Sequence, residues 1–259
     1  MTSQPPPAAP ALPRPAGRLV MTGASGTVGT ALLAELAPAW PGRIVALGRT
    51  APAPDLAIPG KVEFERVDLV DPRAVGAIAE KIVAGPAVGA LVCAAGVDSR
   101  SGLADLFGPG EPNSHSAAAA ARVCMQVNAW SHLHLLHAAV RSAERGSAPS
   151  GRHRPVLPVA LISSDVVGAA LPGTVAYAMS KAAAEEGFRH AATDVSSPGI
   201  SLLVVRLPDI GVPMRAITPH TPEPRTGHER PGPVLAAAVN AIVAFVTQPR
   251  RPGLEEWHA

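Results

Sequence analysis

Short apolar runs alternate along the chain with longer segments of helical periodicity, beginning at Arg18. Such runs predict buried strands, and the longer segments predict amphipathic helices. Strands are predicted at 18–22, 43–48, 62–68, 88–95, 156–163 and 200–207, with a last strand at 254–258. Helices are predicted at 27–37, 72–84, 117–144, 175–195 and 233–247. The alternation predicts an α/β fold, in which a single doubly wound parallel sheet of about seven strands carries helices on both faces.

Proline-rich stretches interrupt this pattern. Three prolines between residues 50 and 60 disfavour a full helix there, so a loop or a single turn is expected. The segments 97–116 and 208–232 are rich in Gly, Pro and polar residues, and they predict long irregular loops that bind ligands. Residues 1–16 are rich in Pro and Ala and predict a disordered tail. Residues 17–259 then form one domain.

Composition excludes several classes of protein. At 259 residues and a net charge of +2, the chain fits one α/β domain and has no charged stripe for nucleic acid. Cys93 and Cys124 are the only cysteines, too few for a disulfide framework or a thiolate metal site. No apolar run reaches the roughly 18 residues of a membrane span, and the N-terminus lacks the order of a signal peptide. We expect a cytoplasmic protein with a small-molecule substrate, without a metal, membrane or nucleic-acid partner.

One tyrosine and one lysine form a distinctive pair. Tyr177 is the only tyrosine, and Lys181 is one of three lysines in a chain that otherwise uses arginine. A spacing of four residues places both side chains on one helix face. A phenol has a pKa of roughly 10, and a nearby ammonium group lowers this pKa so that the phenol can exchange protons. The alternative is a surface helix that carries one Tyr and one Lys without chemistry.

The first predicted strand leads directly into Thr22-Gly23-Ala24-Ser25-Gly26-Thr27-Val28-Gly29 and then into an apolar helix. Glycines at such a turn allow the backbone to approach a pyrophosphate, which binds at the helix N-terminus. The second strand is followed by Arg49, whose guanidinium group favours the 2′-phosphate of NADP(H) over the free ribose of NAD(H). Asp68-Leu69 ends the third strand, where it either meets the adenine or leads the next helix as a loop carboxylate.

These motifs belong to one ordered series along the chain. The glycine turn is followed by Cys93-Ala94-Ala95-Gly96, by Asn128, by Ser163-Ser164, and by Tyr177 with Lys181. In this order and spacing the chain resembles the short-chain dehydrogenase/reductase superfamily over about three quarters of its length, from residue 18 to residue 214. The resemblance implies a catalytic domain with an NAD(P)-binding fold of Rossmann type.

The resemblance also implies a role for each matched residue. Ser164, thirteen positions before Tyr177, would hydrogen-bond the substrate oxygen, and Tyr177 would give or take the proton. Lys181 would bind the nicotinamide ribose and lower the pKa of Tyr177, while Asn128 would hold a bent helix and a water of the proton relay. The implied cofactor-binding residues are Gly23, Ser25, Gly26, Thr27, Val28, Arg49, Asp68, Leu69, Ala94, Ala95, Gly96, Tyr177, Lys181, Pro208 and Ile210.

Three departures from the family pattern lie in the cofactor region. The glycine turn has the spacing TGxxGxxG, which is frequent in the extended branch that includes sugar epimerases, whereas reductases of this length commonly have TGxxxGxG. Cys93-Ala94-Ala95-Gly96 replaces Asn-Asn-Ala-Gly and so lacks a structural amide. Pro208-Asp209 replaces Pro-Gly, which places a carboxylate where the backbone would meet the nicotinamide.

These observations predict an NADP(H)-dependent oxidoreductase that interconverts a carbonyl and an alcohol, as a ketoreductase and as a homodimer or homotetramer. A composition biased to Ala, Pro, Gly and Arg is typical of a protein from a GC-rich bacterial genome. From this composition alone we expect a role in secondary metabolism. The alternatives are a non-redox or internally redox enzyme, such as an epimerase, dehydratase or cyclase, and a catalytically silent dinucleotide-binding protein. The chain after the sixth strand is short for the substrate region of the extended branch, and the intact catalytic set argues against the silent protein.

Three histidines on the helix predicted at 117–144 resemble an incomplete metal site. His134 and His137 share one face, His132 does not, and no nearby carboxylate or cysteine completes the set. The family packs this helix against a second subunit, so we expect solvated or interface histidines. Cys93 is expected to pack near the cofactor as a small apolar residue.

Overall fold

The structure is a computed structural model, and it describes residues 17–99, 102–107, 114–146, 156–195, 199–210, 232–248 and 252–258. Within these ranges the chain forms one sheet of seven strands. The strands are β1 (Arg18–Thr22), β2 (Ile44–Gly48), β3 (Val62–Arg66), β4 (Val88–Cys93), β5 (Val156–Ser164), β6 (Gly199–Leu207) and β7 (Gly253–His258). Each corresponds to a predicted strand, and the ends differ from the prediction by at most about two residues, the usual uncertainty of strand ends.

The strands lie in the order β3-β2-β1-β4-β5-β6-β7, and every neighbouring pair is parallel. The order changes direction between β1 and β4. Doubly wound sheets bind their ligands at this point, in the crevice outside the carboxyl ends of the strands. The predicted fold class, a Rossmann-type doubly wound sheet, is confirmed.

Helices connect the strands and cover both faces of the sheet. Those in the described ranges are α1 (Thr27–Ala39), α2 (Pro72–Ala84), α3 (Leu103–Phe107), α4 (Ser114–Met125), a π-helical turn (Gln126–Trp130), α5 (Ser131–Arg145), α6 (Val166–Ala169), α7 (Val175–Asp194) and α8 (Pro233–Thr247). The start of α2 shows how local sequence fixes a helix end. The carboxylate of Asp71 accepts a hydrogen bond of 2.8 Å from the backbone nitrogen of Arg73, and Pro72 occupies the first turn.

The core consists of two layers, one on each face of the sheet. Aliphatic side chains of α2, α5 and α7 pack on one face, and those of α1 and α8 pack on the other. The central strand β4 is buried along its whole length, because helices cover it from both sides. The edge strands β3 and β7 are largely exposed. Among the described residues, no helix combines the length and the apolar character needed to cross a membrane.

The structure differs from the sequence-based prediction in two helical segments. The single helix predicted at 117–144 begins earlier, at Ser114, and the π-helical turn divides it into α4 and α5. The predicted irregular loop 97–116 contains α3, so the prediction is wrong there. This short helix forms because the carboxylate of Asp105 accepts a hydrogen bond of 2.7 Å from the backbone nitrogen of Gly102.

Other irregular segments agree with the prediction where the structure describes them. The crossover between β2 and β3 contains only turns, and the carbonyl of Ala53 accepts hydrogen bonds from the backbone nitrogens of Leu56 and Ala57. The predicted tail at 1–16 and most of the predicted loop 208–232 lie outside the described residues.

Candidate active site

The turn between β1 and α1 is tight, because two of its glycines have no room for a side chain. Gly23 has a φ of +72°, and a Cβ there would lie 2.6 Å from the backbone nitrogen of Ala95. A Cβ on Gly29 would lie 2.0 Å from the carbonyl oxygen of Gly23. The helix begins after Gly26, whose position provides no side-chain cap. The first N–H groups of α1 are therefore available to an anion such as a pyrophosphate.

Thr22 joins this turn to the end of β4. Its buried Oγ1 accepts hydrogen bonds of 3.1 Å from the backbone nitrogens of both Ala94 and Ala95. The segment that runs on from β4 through Gly96 is thereby held beside the glycine turn. The structure thus brings two of the predicted cofactor-binding motifs together at the switch point of the sheet.

Arg49 and Asp68 follow the ends of β2 and β3, and both are exposed. The carboxylate of Asp68 accepts a hydrogen bond of 3.0 Å from the backbone nitrogen of Val70, as a loop carboxylate that leads a helix would do. Leu69 is buried in the core, and its carbonyl accepts a hydrogen bond of 2.7 Å from Oγ of Ser131. Arg49 is therefore an exposed cation at this end of the crevice, while Leu69 also has a packing role.

The two serines at the end of β5 have different surroundings. Ser163 is buried, and its Oγ donates a hydrogen bond of 2.5 Å to the carboxylate of Glu185. Ser164 is half-buried, and its Oγ lies 3.3 Å from the carboxylate of Asp165 and accepts a hydrogen bond of 3.3 Å from the backbone nitrogen of Val166. Ser163 is thus engaged in the core, and Ser164 is the serine of the pair that remains accessible.

Tyr177 and Lys181 lie on one buried face of α7. Nζ of Lys181 is 5.8 Å from the centroid of the Tyr177 ring. Lys181 is only 4% exposed, and Tyr177 is 7% exposed. The same Nζ donates a hydrogen bond of 2.9 Å to the carbonyl of Ile162, two residues before Ser164 on β5. The helix that carries the phenol and the ammonium group is therefore attached to the strand that carries the serine.

Burial controls the protonation of Lys181. It lowers the pKa of the ammonium group from 10.5 to about 8, and the carboxylate of Glu185 opposes this effect. Lys181 consequently keeps its proton at neutral pH. The thiols of Cys93 and Cys124 are buried nearby, and burial raises the pKa of Cys124 to about 12 and also raises that of Cys93. Both thiols are therefore neutral packing groups, which is the role expected for Cys93.

Asn128 lies in the π-helical turn and uses its side-chain amide to link separate elements. Its Oδ1 accepts a hydrogen bond from the backbone nitrogen of Val97, and its Nδ2 donates to the carbonyl of Val97 and to Oγ of Ser180, each at 2.9 Å. Ser180 in turn donates a hydrogen bond of 2.8 Å to the carbonyl of Tyr177. Asn128 thus fixes an irregular helix against α7, and its role toward a relay water stays a prediction.

His132 is a buried member of the site that the sequence did not reveal. It is 1% exposed, with Nε2 3.1 Å from Oγ1 of Thr22 and Nδ1 3.2 Å from the carbonyl oxygen of Asn128. Because the Thr22 hydroxyl already accepts two N–H groups, it donates its proton to Nε2, and Nδ1–H then donates to Asn128. Burial, followed by the charge of Lys181, lowers the pKa of His132 to about 3, so the ring is neutral.

The expectation of a solvated or interface histidine is therefore wrong for His132, whereas His134 and His137 are exposed. The difference arises because residues two apart on a helix lie on nearly opposite faces, so His132 faces Thr22 of β1 while His134 faces solvent. The signals available in the sequence were the separation of His132 from the face of His134 and its spacing of four residues from Asn128.

The remaining predicted cofactor residues flank the crevice. Ser25 and Thr27 are exposed on the glycine turn, and Val28 is partly buried against the core. Pro208 and Ile210, which follow β6, are half-buried. These positions are compatible with contacts to a bound ligand, because each leaves part of its surface accessible.

The residues present fit a nicotinamide dinucleotide. The glycine turn at the N-terminus of α1 would hold the pyrophosphate, because glycines let the backbone approach the phosphate groups closely. Arg49 would meet the adenosine end, and Lys181 would meet the ribose at the nicotinamide end. At that end a phenol, an ammonium group and a hydroxyl lie on adjoining elements, an arrangement that can exchange a proton with a substrate oxygen.

The sequence matches the family model described as short chain dehydrogenase over residues 18–222, which is well over half of the chain. Among proteins of curated function, none matches the sequence.

Solved structures share the fold over nearly the whole chain. A short-chain dehydrogenase from Streptomyces avermitilis is 23% identical, with a TM-score of 0.67 over 94% of this chain and 89% of the other. A short chain dehydrogenase from Burkholderia cenocepacia in complex with NADP is 17% identical, with a TM-score of 0.64 over 93% and 88%. An alcohol dehydrogenase from Thermococcus sibiricus, complexed with 5-hydroxy-NADP, is 20% identical, with a TM-score of 0.66 over 92% and 94%.

The family match covers β1 to β6, the glycine turn and the helix that carries Tyr177 and Lys181. The sheet order and the placement of these two side chains agree with that match. The chain therefore belongs to the short chain dehydrogenase family, a family of NAD(P)-dependent enzymes.

Proposed function

We propose that this protein is an NADP(H)-dependent oxidoreductase that interconverts a carbonyl and an alcohol, acting mainly as a ketoreductase. The observation that carries the proposal is the position of Lys181, whose Nζ lies beside the Tyr177 ring and is bonded to the strand of Ser164. When bound, the nicotinamide supplies or accepts the hydride. The side chains of the protein then manage the substrate oxygen and its proton.

Each of these side chains has a distinct task in the proposal. Ser164 hydrogen-bonds the substrate oxygen, and Tyr177 donates a proton to that oxygen during reduction or removes it during oxidation. Lys181, protonated at neutral pH, stabilises the phenolate that remains after the proton has left. Asn128 and its partner Ser180 hold the backbone of Tyr177 in place.

The preference for NADP(H) rests on Arg49. The Burkholderia cenocepacia protein was solved with NADP and a Brucella ovis oxidoreductase with a partially ordered NAD, so the fold accepts either cofactor. The exposed guanidinium group that follows β2 would form charge-assisted hydrogen bonds with a 2′-phosphate. A carboxylate at this position would repel that phosphate.

The replacement Tyr177→Phe tests the proposal. We expect kcat for ketone reduction to fall about 100- to 10,000-fold, because the general acid is lost, while NADPH still binds. The measurement follows the loss of NADPH absorbance with a panel of ketones, and cofactor binding is titrated separately by fluorescence. Activity that survives in the variant would remove Tyr177 as the acid.

A second candidate is an enzyme that keeps its cofactor and shows no net redox turnover, such as an epimerase or dehydratase. The TGxxGxxG spacing favours it, because this spacing is frequent in the extended branch that includes sugar epimerases. Cofactor that stays bound through purification, together with conversion of substrate without net NADPH consumption, would support this candidate over the first.

We also propose that the protein assembles as a homodimer or homotetramer. Trp130 and Met179 are 64% and 50% exposed, on the π-helical turn and on α7, which pack against each other. Large exposed apolar side chains on adjoining elements favour association. Light scattering should give a mass above that of one chain, and the replacement Trp130→Ala should lower it.

A further inference from the structure

Glu185 is a buried carboxylate outside the proposed catalytic set of Asn128, Ser164, Tyr177 and Lys181. It is 1% exposed and lies on α7, one turn after Lys181. Its Oε1 accepts hydrogen bonds from Oγ of Ser163 at 2.5 Å and from Nε of Arg206 at 2.9 Å, and its Oε2 accepts one of 2.6 Å from Nη2 of the same arginine. The Arg206 contact is thus bidentate, the most directional form of ion pair.

A second arginine extends this cluster to the edge of the sheet. Nη2 of Arg189, on the next turn of α7, lies 3.2 Å from Glu185 and 2.7 Å from Glu256 of β7. The hydrogen bonds and charges around Glu185 lower the pKa of its carboxyl group despite the burial. Glu185 is therefore an ionised group bound from three different elements.

The location of the cluster connects it to the active site. Ser163 is the neighbour of Ser164 on β5, and Arg206 lies directly across from Ser163 on β6. Lys181 and Glu185 are successive members of one face of α7, and Lys181 also bonds to β5 through the carbonyl of Ile162. The helix of the proton donor and the strand of the serine are thus joined at two points.

From these contacts we propose that Glu185 is a positioning residue, which fixes the height of α7 along β5 and β6 and so sets Tyr177 and Lys181 relative to Ser164. The proposal rests on the proposed function, because it assigns a task to the same three side chains. A hydrophobic contact between a helix and a sheet permits sliding, whereas a bidentate ion pair with a third hydrogen bond has one geometry. Displacements of about 1 Å in a reacting group can reduce rates about 100-fold.

The first experiment compares neighbouring glutamates on α7. Glu185→Gln keeps the shape of the side chain but removes its charge, and we expect kcat to fall about 10- to 100-fold with little change in KM for the cofactor. Glu186→Gln is the matched control, since Glu186 pairs with the same Arg189 but its side chain is 62% exposed. The control should keep kcat within about twofold of the wild-type value.

A double variant separates positioning from stability. Glu185→Leu combined with Arg206→Met removes the buried pair without changing the net charge, and such replacements often restore or raise stability. We expect its melting temperature to exceed that of Glu185→Gln while its kcat stays low. If kcat recovers together with the melting temperature, Glu185 serves only stability and the proposal is overturned.

The single tyrosine provides a readout that does not depend on turnover. Tyr177 is the only tyrosine, so the tyrosinate absorbance band reports this residue alone. In the double variant we expect its titration midpoint to move upward, because a displaced Lys181 stabilises the phenolate less. A wild-type midpoint would contradict positioning. This titration remains informative even if every ketone fails as a substrate, so failure of the proposed function and failure of this inference are distinguishable.

Discussion

The charged side chains of α7 and those that follow β2 and β3 have opposite surroundings. On α7, Lys181 and Glu185 are 4% and 1% exposed, and each is hydrogen-bonded to the neighbouring strands. After β2 and β3, Arg49 and Asp68 are exposed. The first group is held in one geometry by the fold, whereas the second group is open to solvent and to a ligand.

This contrast indicates a division of tasks within one crevice. A buried charge interacts strongly with its neighbours and is expensive to leave unpaired, so it can fix the positions of reacting groups. An exposed charge is screened by water and salt and contributes little to the stability of the fold. It contributes instead to the choice of a charged ligand. Substitutions in the two regions should therefore differ in both size and type of effect.

Lys181→Met should show the largest effect. We expect kcat to fall about 100-fold or more, because the phenolate loses its ammonium partner. The same change should stabilise the fold at pH 7 by up to about 3 kcal/mol, because burial lowers the pKa of Lys181 from 10.5 to about 8. Urea unfolding of both proteins measures this difference.

The direction in which the free energy of unfolding changes with pH provides a control for that prediction. Between pH 8 and pH 10.5 the unfolded chain binds a proton at Lys181 that the folded chain has lost, so the wild-type protein gains stability as the pH rises. The stability advantage of Lys181→Met over the wild-type protein should therefore shrink over this pH range. Lys81→Met, whose side chain is 65% exposed, should change stability by no more than about 0.5 kcal/mol. Equal effects of the two replacements would contradict the assignment of a buried ammonium.

His132→Gln should remove an acid sensitivity. The folded protein keeps His132 neutral, with its pKa lowered from 6.5 to about 3, while the unfolded chain takes up a proton as the pH falls below 6.5. The wild-type protein should consequently lose about 2 kcal/mol of stability between pH 7 and pH 5 from this group alone. Unfolding in urea at the two pH values measures the loss, which the variant should lack.

The exposed histidine of the same helix offers a comparison. His137→Gln should retain the acid sensitivity, because His137 lies on the exposed face of α5. If His132→Gln shows the same loss as the wild-type protein, the ring is not held neutral by its contacts with Thr22 and Asn128.

Arg49→Ala should have a smaller and more selective effect. We expect kcat/KM with NADPH to fall about tenfold, equivalent to about 1.4 kcal/mol, with little change for NADH. The difference should shrink at high salt, because the contact is exposed. Arg43→Ala is the matched control, since Arg43 precedes the amino end of β2, away from the carboxyl end that Arg49 follows, and pairs with Glu63. Parallel losses with both cofactors would remove the 2′-phosphate as the partner of Arg49.

Glu63→Gln should show the smallest effect. Glu63 pairs with Arg43 on the surface, and the two side chains are 46% and 66% exposed. The free energy of unfolding, followed by thermal unfolding, should change by no more than about 0.5 kcal/mol. Glu185→Gln makes the same chemical change in a buried cluster, and a comparably small effect there would remove the contrast between the two regions.

Much of the fold could be predicted because its signals are local in the sequence. The apolar runs of the buried strands, the glycines at 23 and 29, and the spacing of Tyr177 and Lys181 each act through near neighbours. The short helix at Leu103–Phe107 was missed, since one carboxylate, that of Asp105, is a weak sequence signal for a helix in a stretch rich in Gly and Ser. The π-helical turn was also missed, because one additional residue per turn leaves little trace in the periodicity.

The sequence by itself determined the doubly wound sheet, the tight glycine turn after β1 and the presence of a phenol beside an ammonium group. Only the tertiary structure decided that His132 lies against Thr22, that Ser163 binds Glu185, and that Lys181 is buried enough to lower its pKa. The physical reason is the range of the forces involved. Backbone preferences and helical periodicity extend over a few residues, whereas desolvation and buried hydrogen bonds depend on segments that meet only after the chain has folded.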